Sequence, residues 1–213
     1  MRLTVFVAAG LIILSAGLSY GQEWSEYNNQ KDFFSIDFPG QPTVKDIIYE
    51  TEYNLKLPAR VHSVEKGPSR YTVTVVDYNP IEKMEGERVK ACKAAGGDGD
   101  LCNDHTRAEL RGALTHGTWL LIQKSAKVTH LSMSNADRVE GNEIYFTNPD
   151  GTRTIGAVYM HENRLYVIEA TVPPKSPPPA LFYQSIGFLD NAGKRIRYDT
   201  PYSNGLPAPR RVR

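Results

Sequence analysis

Apolar and polar residues alternate through much of this chain, and the alternation changes period twice. Residues 33–38 (FFSIDF) set Phe34, Ile36 and Phe38 on one side and Ser35 and Asp37 on the other. That is the period-2 signature of a half-buried strand, stopped by Pro39-Gly40 with Gln41-Pro42 beyond. Over 47–57, Ile47, Tyr49, Thr51, Tyr53, Leu55 and Leu57 interleave with mostly polar neighbours, which predicts one continuous strand. Two β-rich runs follow, 59–65 and 71–78, separated by the turn Lys66-Gly67-Pro68-Ser69. The prediction is an antiparallel meander with one wet face.

The period then lengthens. Asn79 as cap, Pro80 at the first helical position and Glu82 reaching back predict a helix to about Ala95. A second helix is expected from Asp104 or Thr106, where Thr106 and Glu109 have capping-box spacing. Its apolar stripe is Leu110, Ala113, Leu114, Gly117 and Leu121. Strands return at 128–133, 144–147, 152–160 and 164–172, with turns at Asn148-Pro149-Asp150-Gly151 and His161-Glu162-Asn163. After the prolines at 173, 174 and 177–179, residues 180–189 return to helical spacing through Phe182, Ile186 and Leu189. Grouped strands with helices between and after them predict an α+β fold, an antiparallel β-sheet with helices packed on its faces.

The ends differ from this middle. Arg2 precedes an apolar run over 3–18, and Ser19 and Gly21 supply small residues before Gln22. This is the form of a secretory signal peptide over 1–21, in which the apolar core is short for a membrane span. A permanent anchor is the rival reading. Without the leader, 24 basic side chains face 24 acidic ones, and a neutral body argues against nucleic acid as a partner. Residues 22–192 suit a single domain. Residues 193–213 carry Lys194, Arg195, Arg197, Arg210, Arg211 and Arg213 against Asp199 alone, interrupted by Pro201, Pro207 and Pro209. This tail is expected to lack the apolar content to pack and to be disordered.

Candidate chemistry is sparse. Cys92 and Cys102 are the only cysteines, and an exported pair at this spacing predicts a disulfide rather than a redox or zinc motif. The acidic run Asp98, Asp100 and Asp104 with Glu109 resembles a calcium loop in outline. Cys102 and Asn103 stand where a ligand oxygen and a glycine belong, so a solvated loop capping the second helix is the better reading. His62, His105, His116, His130 and His161 show no chelating helical spacing. Phosphate-loop, dinucleotide and nucleophile-elbow motifs are missing, and Ser185 reads as a packing residue. The tail cations are the candidate contacts for an anionic surface.

Several motifs resemble those of secreted bacterial proteins with a PsbP-like α/β/α sandwich. These are Trp24 and Tyr27 ahead of FFSIDFPGQP (33–42), the strand YTVTVVDY (71–78), and the closing pair RLYVIEA (164–170) and FYQSIGFL (182–189). The resemblance spans roughly 24–189. It implies a non-catalytic assembly, accessory or partner-binding module and transfers no catalytic residue. The expectation is therefore a periplasmic or secreted, non-enzymatic envelope module without cofactor or metal. Its partner would be an envelope protein or an anionic surface, and no membrane span would remain after processing. The alternatives are a hydrolase-like enzyme built around His130 or His161, and a membrane-surface adaptor using the tail.

Overall fold

Residues 24–212 are described by the computed structural model. The predicted signal segment 1–21 and Arg213 lie outside them. The chain opens with β1 (Ser25–Asn29), β2 (Phe34–Phe38), β3 (Thr43–Glu50), β4 (Lys56–Lys66) and β5 (Ser69–Asp77). Helices α1 (Ile81–Ala94) and α2 (Thr106–Lys124) follow, then β6 (Lys127–Ala136), β7 (Val139–Thr147), β8 (Arg153–His161) and β9 (Arg164–Val172). The chain finishes with α3 (Ala180–Tyr183), β10 (Gly187–Phe188), β11 (Arg197–Tyr198) and β12 (Arg211–Val212).

Seven strands form one antiparallel sheet in the order β3-β4-β5-β9-β8-β7-β6. Two hairpins within it turn on paired residues of positive φ, Asp137-Arg138 (49° and 69°) and Glu162-Asn163 (46° and 57°). That twist matches the strands they join, and Asn and Asp tolerate it best. β8 and β9 lie in the middle and are buried on both faces, which explains their nearly continuous apolar sequences. On one face Leu165, Val167, Val158 and Met160 pack with Ala113 and Leu121 of α2 and Ile81 of α1. On the other, Tyr166, Ile168, Ala157 and Tyr159 pack against Phe34, Ile36, Phe38, Phe182 and Phe188.

This corrects the α+β, α/β/α expectation. The described residues are 44% strand and 20% helix, so the fold is mainly β. Both long helices share a core with one face, whereas a second small sheet, β1-β2-β10, covers the other. The physical reason is local. Phe182, Ile186 and Leu189 keep helical spacing, yet α3 stops after four residues and Gly187 and Phe188 pair with Ser35 and Phe34 instead. β2 is buried on almost every residue, so its free backbone edge needs partners, and that need outweighs the short helix. Ser185 closes the corner: its hydroxyl accepts from the Asp37 amide at 2.8 Å and donates to Phe182 O at 2.9 Å.

Two other expectations also give way. The run 47–57 is a hairpin, in which Thr51 N–H donates to Leu55 O at 2.9 Å and Asn54 takes φ 62°. Alternation is preserved through the turn, so periodicity alone cannot see it. The capping box of α2 does not form either. Asp104 Oδ1 accepts from the Thr106 amide at 2.7 Å, while the buried Glu109 carboxylate accepts from the Thr51 hydroxyl.

Cys92 and Cys102 are joined, with Cα atoms 5.5 Å apart, tying the end of α1 to the loop before α2. Gly97 packs on the bridge, where a Cβ would lie 2.6 Å from Cys102 Sγ and 2.8 Å from Cys92 Sγ. Among the described residues, no helix is long and apolar enough to cross a membrane.

Candidate anion-binding site

The basic tail is folded onto the body. Ile196, Tyr198 and Tyr202 are buried in the core shared with the small sheet, against the expectation that this segment could not pack. One isoleucine and two tyrosines with hydrogen-bonded hydroxyls suffice where the composition as a whole looked too polar. Tyr198 and Tyr202 stack with ring centroids 5.0 Å apart, and the Tyr198 hydroxyl sits 2.8 Å from His161 Nε2. The Ile196 amide donates to Phe188 O at 2.7 Å, continuing the chain from β10. Before it, Asp190 Oδ1 accepts from the amides of Ala192 (2.8 Å) and Lys194 (2.9 Å), with Gly193 supplying φ 74°. These amides, chiefly that of Lys194, outweigh its slight desolvation and hold the Asp190 carboxyl below the usual range.

Anchored in this way, the tail encloses a hollow of about 820 Å³. Lys194, Arg195, Arg197 and Arg211 line it, together with Asp190 and the apolar Ile196 and Val212. Arg195 pairs with Asp137 and donates to Ile186 O at 2.8 Å, so its position is fixed. Arg211 pairs with Glu162 in the β8–β9 turn. Burial works against its charge, but Glu162 and the Tyr198 phenol more than compensate and raise its pKa. Arg197 reaches Asp137 only at 3.4 Å and remains 64% exposed. Lys194 enters no ion pair among the described residues. Arg210 pairs with Asp199 at 3.0 Å and is not among the residues lining the hollow. Of the six expected cations, the structure therefore gathers four and leaves Arg210 aside, while Arg213 lies outside the described residues.

The histidines go to separate places. His161 is buried, and that burial, with Arg211 and Arg164 nearby, pushes its pKa down to about 3. It therefore stays neutral in any near-neutral medium. His130 lies exposed on β6, with Nε2 2.9 Å from Ser132 Oγ. His116 approaches Glu50 O at 3.3 Å, and His105 stacks on Tyr53 with centroids 4.3 Å apart. His62 is enclosed with Asp32, its Nε2 2.9 Å from Asp32 Oδ2, while Arg60 Nε donates to the same oxygen at 2.8 Å. Burial opposes the Asp32 charge, but the hydrogen bonds from His62 and Arg60 prevail and its pKa is lowered. This cluster clamps the β1–β2 turn onto β4. Among the described residues, no group of three or more His, Cys, Asp or Glu side chains is placed to hold a metal ion.

Two carboxylates are buried where the sequence suggested none: Glu85, which no motif marked, and Glu109, which was expected as a solvated capping residue. Glu85 and Glu109 are both fully enclosed. Glu85 Oε2 accepts from Arg88 at 2.7 Å and from the His105 amide at 2.9 Å. Burial raises the Glu109 pKa, and Glu85 and Glu52 add to the effect against the Thr51 and Tyr53 hydrogen bonds. The only sequence signal was the i, i+3 spacing of Glu85 and Arg88. They join α1 and α2 to the β3–β4 turn and line neither the basic hollow nor the one described below.

No protein-family model matches this chain, and no curated protein matches its sequence. The likeness to PsbP-like proteins rests on the quoted motifs alone.

Proposed function

We propose that this chain is an exported, non-enzymatic binding module of the bacterial cell envelope that receives an anionic surface in its basic hollow. One observation carries the reading. Four cations from a segment of near-random appearance converge on one cavity, and side chains buried in the core hold that segment in place. Lys194 and Arg197 are the members least committed to internal partners, so they are the groups with charge to offer. The balanced composition makes this a local attraction rather than a property of the whole molecule. Export is supported by the leader pattern and by the disulfide, which persists in oxidising compartments.

Each basic group close to an anionic membrane surface contributes about 1 kcal/mol, so losing two weakens binding roughly thirtyfold. Co-sedimentation with phosphatidylglycerol-containing vesicles tests this. The mature protein is expected to pellet with them, to stay in solution with pure phosphatidylcholine vesicles, and to be released by salt. The K194Q/R197Q protein should remain in the supernatant. If inorganic phosphate at matched ionic strength releases the protein far better than chloride does, the hollow selects phosphate itself. Equal pelleting with both vesicle types, or unchanged pelleting of the double variant, overturns the reading.

A further inference from the structure

A second hollow, on the opposite face and at the opposite end of the large sheet, has different chemistry. Here α2 ends: Leu121 sits over Gly156, where a Cβ would lie 3.1 Å from Leu121 Cδ1. Beyond that point the face changes from aliphatic to hydroxyl. Val76 gives way along β5 to Thr74 and Thr72, Val167 along β9 to Glu169 and Thr171, and Val158 along β8 to Thr154. Register places Thr72 beside Glu169, and Arg70 and Thr154 on either side of Thr171. They enclose a hollow of about 330 Å³, with Asn148 and Lys124 at its rim.

An exposed sheet face also favours threonine, but these residues are not merely wetted. Thr154 is 1% exposed and Thr72 8%, so both lie beneath the hollow, while the half-buried Thr74, Thr171 and Glu169 face it. Thr154 and Thr171 are hydrogen-bonded at 2.8 Å, and Asn148 donates to Thr154 at 2.9 Å, which orients the set. Glu169 is held by Lys124. Arg70 makes no ion pair among the described residues, even with Glu65, its neighbour across the strands.

We infer that this hollow binds a single-ring sugar acid, its carboxylate on Arg70 and its hydroxyls on the threonines and Glu169. Hydroxyls both donate and accept, so a threonine floor matches a polyol better than a simple ion, and Glu169 accepts from ligand hydroxyls. The planar fork of Arg70 suits a carboxylate. The size lies at the lower end of the about 300–1,000 Å³ typical of ligand pockets, which limits the ligand to about one ring.

Titration calorimetry of the intact mature protein with glucuronate, glucose and acetate tests the assignment. Glucuronate should bind, glucose about tenfold or more weakly for want of the charged partner, and acetate without measurable heat. R70Q should reduce glucuronate binding about tenfold and T171V about fivefold, Val being an isosteric strand former. K194Q/R197Q should leave it unchanged, which separates this site from the basic hollow. Absence of glucuronate binding, acetate binding as tightly as glucuronate, or indifference to both R70Q and T171V overturns the inference.

Discussion

The two hollows differ in how their charge is spent. The basic hollow has four cations, yet Arg195 and Arg211 are committed to Asp137 and Glu162, and Arg197 shares Asp137 at 3.4 Å. Lys194 alone is without an ion pair among the described residues, and the 64% exposed Arg197 is the next least committed. The threonine hollow has two cations; Lys124 is committed to Glu169 and Arg70 is free among the described residues. Counting basic residues along the chain would rank the first far above the second. Counting unpaired ones brings them close together, and then the surroundings decide: charge at the surface on one side, oriented hydroxyls on the other.

Their foundations differ as well, and the largest expected effect breaks the comparison there. The basic hollow stands on Tyr198 and Tyr202, so Y198A should destabilise the whole fold by about 3–5 kcal/mol, measured by urea unfolding. Deleting 193–213 removes the same support, which makes truncation a poor test of binding. T171V at the other hollow removes one hydrogen bond from the buried Thr154 and should cost only about 1 kcal/mol. Removing the bridge as C92A/C102A should cost about 3 kcal/mol on the chain-entropy estimate. Both ligand affinities measured on the still-folded variant should be unchanged, because the bridge lies outside both linings.

pH sharpens the comparison by defining where the shared scaffold is firm. Asp32 has its pKa lowered by folding, so its contribution is present above the ordinary aspartate range and lost as pH falls through its depressed value. Glu109 is raised, so its contribution is full below the ordinary glutamate range and lost as pH rises through its elevated value. Stability measured against pH should therefore lose its Asp32-dependent acid limb in D32N. In E109Q the decline just above the glutamate range should flatten. The smallest effect is expected at the basic hollow itself. K194Q/R197Q should shift stability by less than about 0.5 kcal/mol, because neither residue is buried.

Much of the scaffold was legible from periodicity. The predicted run 164–172 coincides with β9, and the Cys92–Cys102 bridge followed from cysteine number and context. What was hidden depended on contacts distant in sequence. The hairpin at Thr51 and Asn54 keeps the alternation of a straight strand. The closing segment was drawn out of helix by the edge of β2, which Ser185 meets across a separation of 148 positions. The tail was misjudged because average composition hides three residues that fit the core. The six cations were visible, but which were already paired was not, since Asp137 and Glu162 sit in the β6–β7 and β8–β9 turns, far from the tail in sequence. The threonines read as ordinary strand formers until the sheet set them side by side.

The central claim is that the hollow, rather than the net charge of the tail, receives the anionic partner. Arg197 lines the hollow, whereas Arg210 carries the same charge 13 positions along the same tail and does not. Vesicle co-sedimentation of R197Q beside R210Q at one ionic strength is the most direct test. R197Q should bind phosphatidylglycerol vesicles markedly more weakly than wild type, with R210Q close to wild type; equal loss in both would contradict the account.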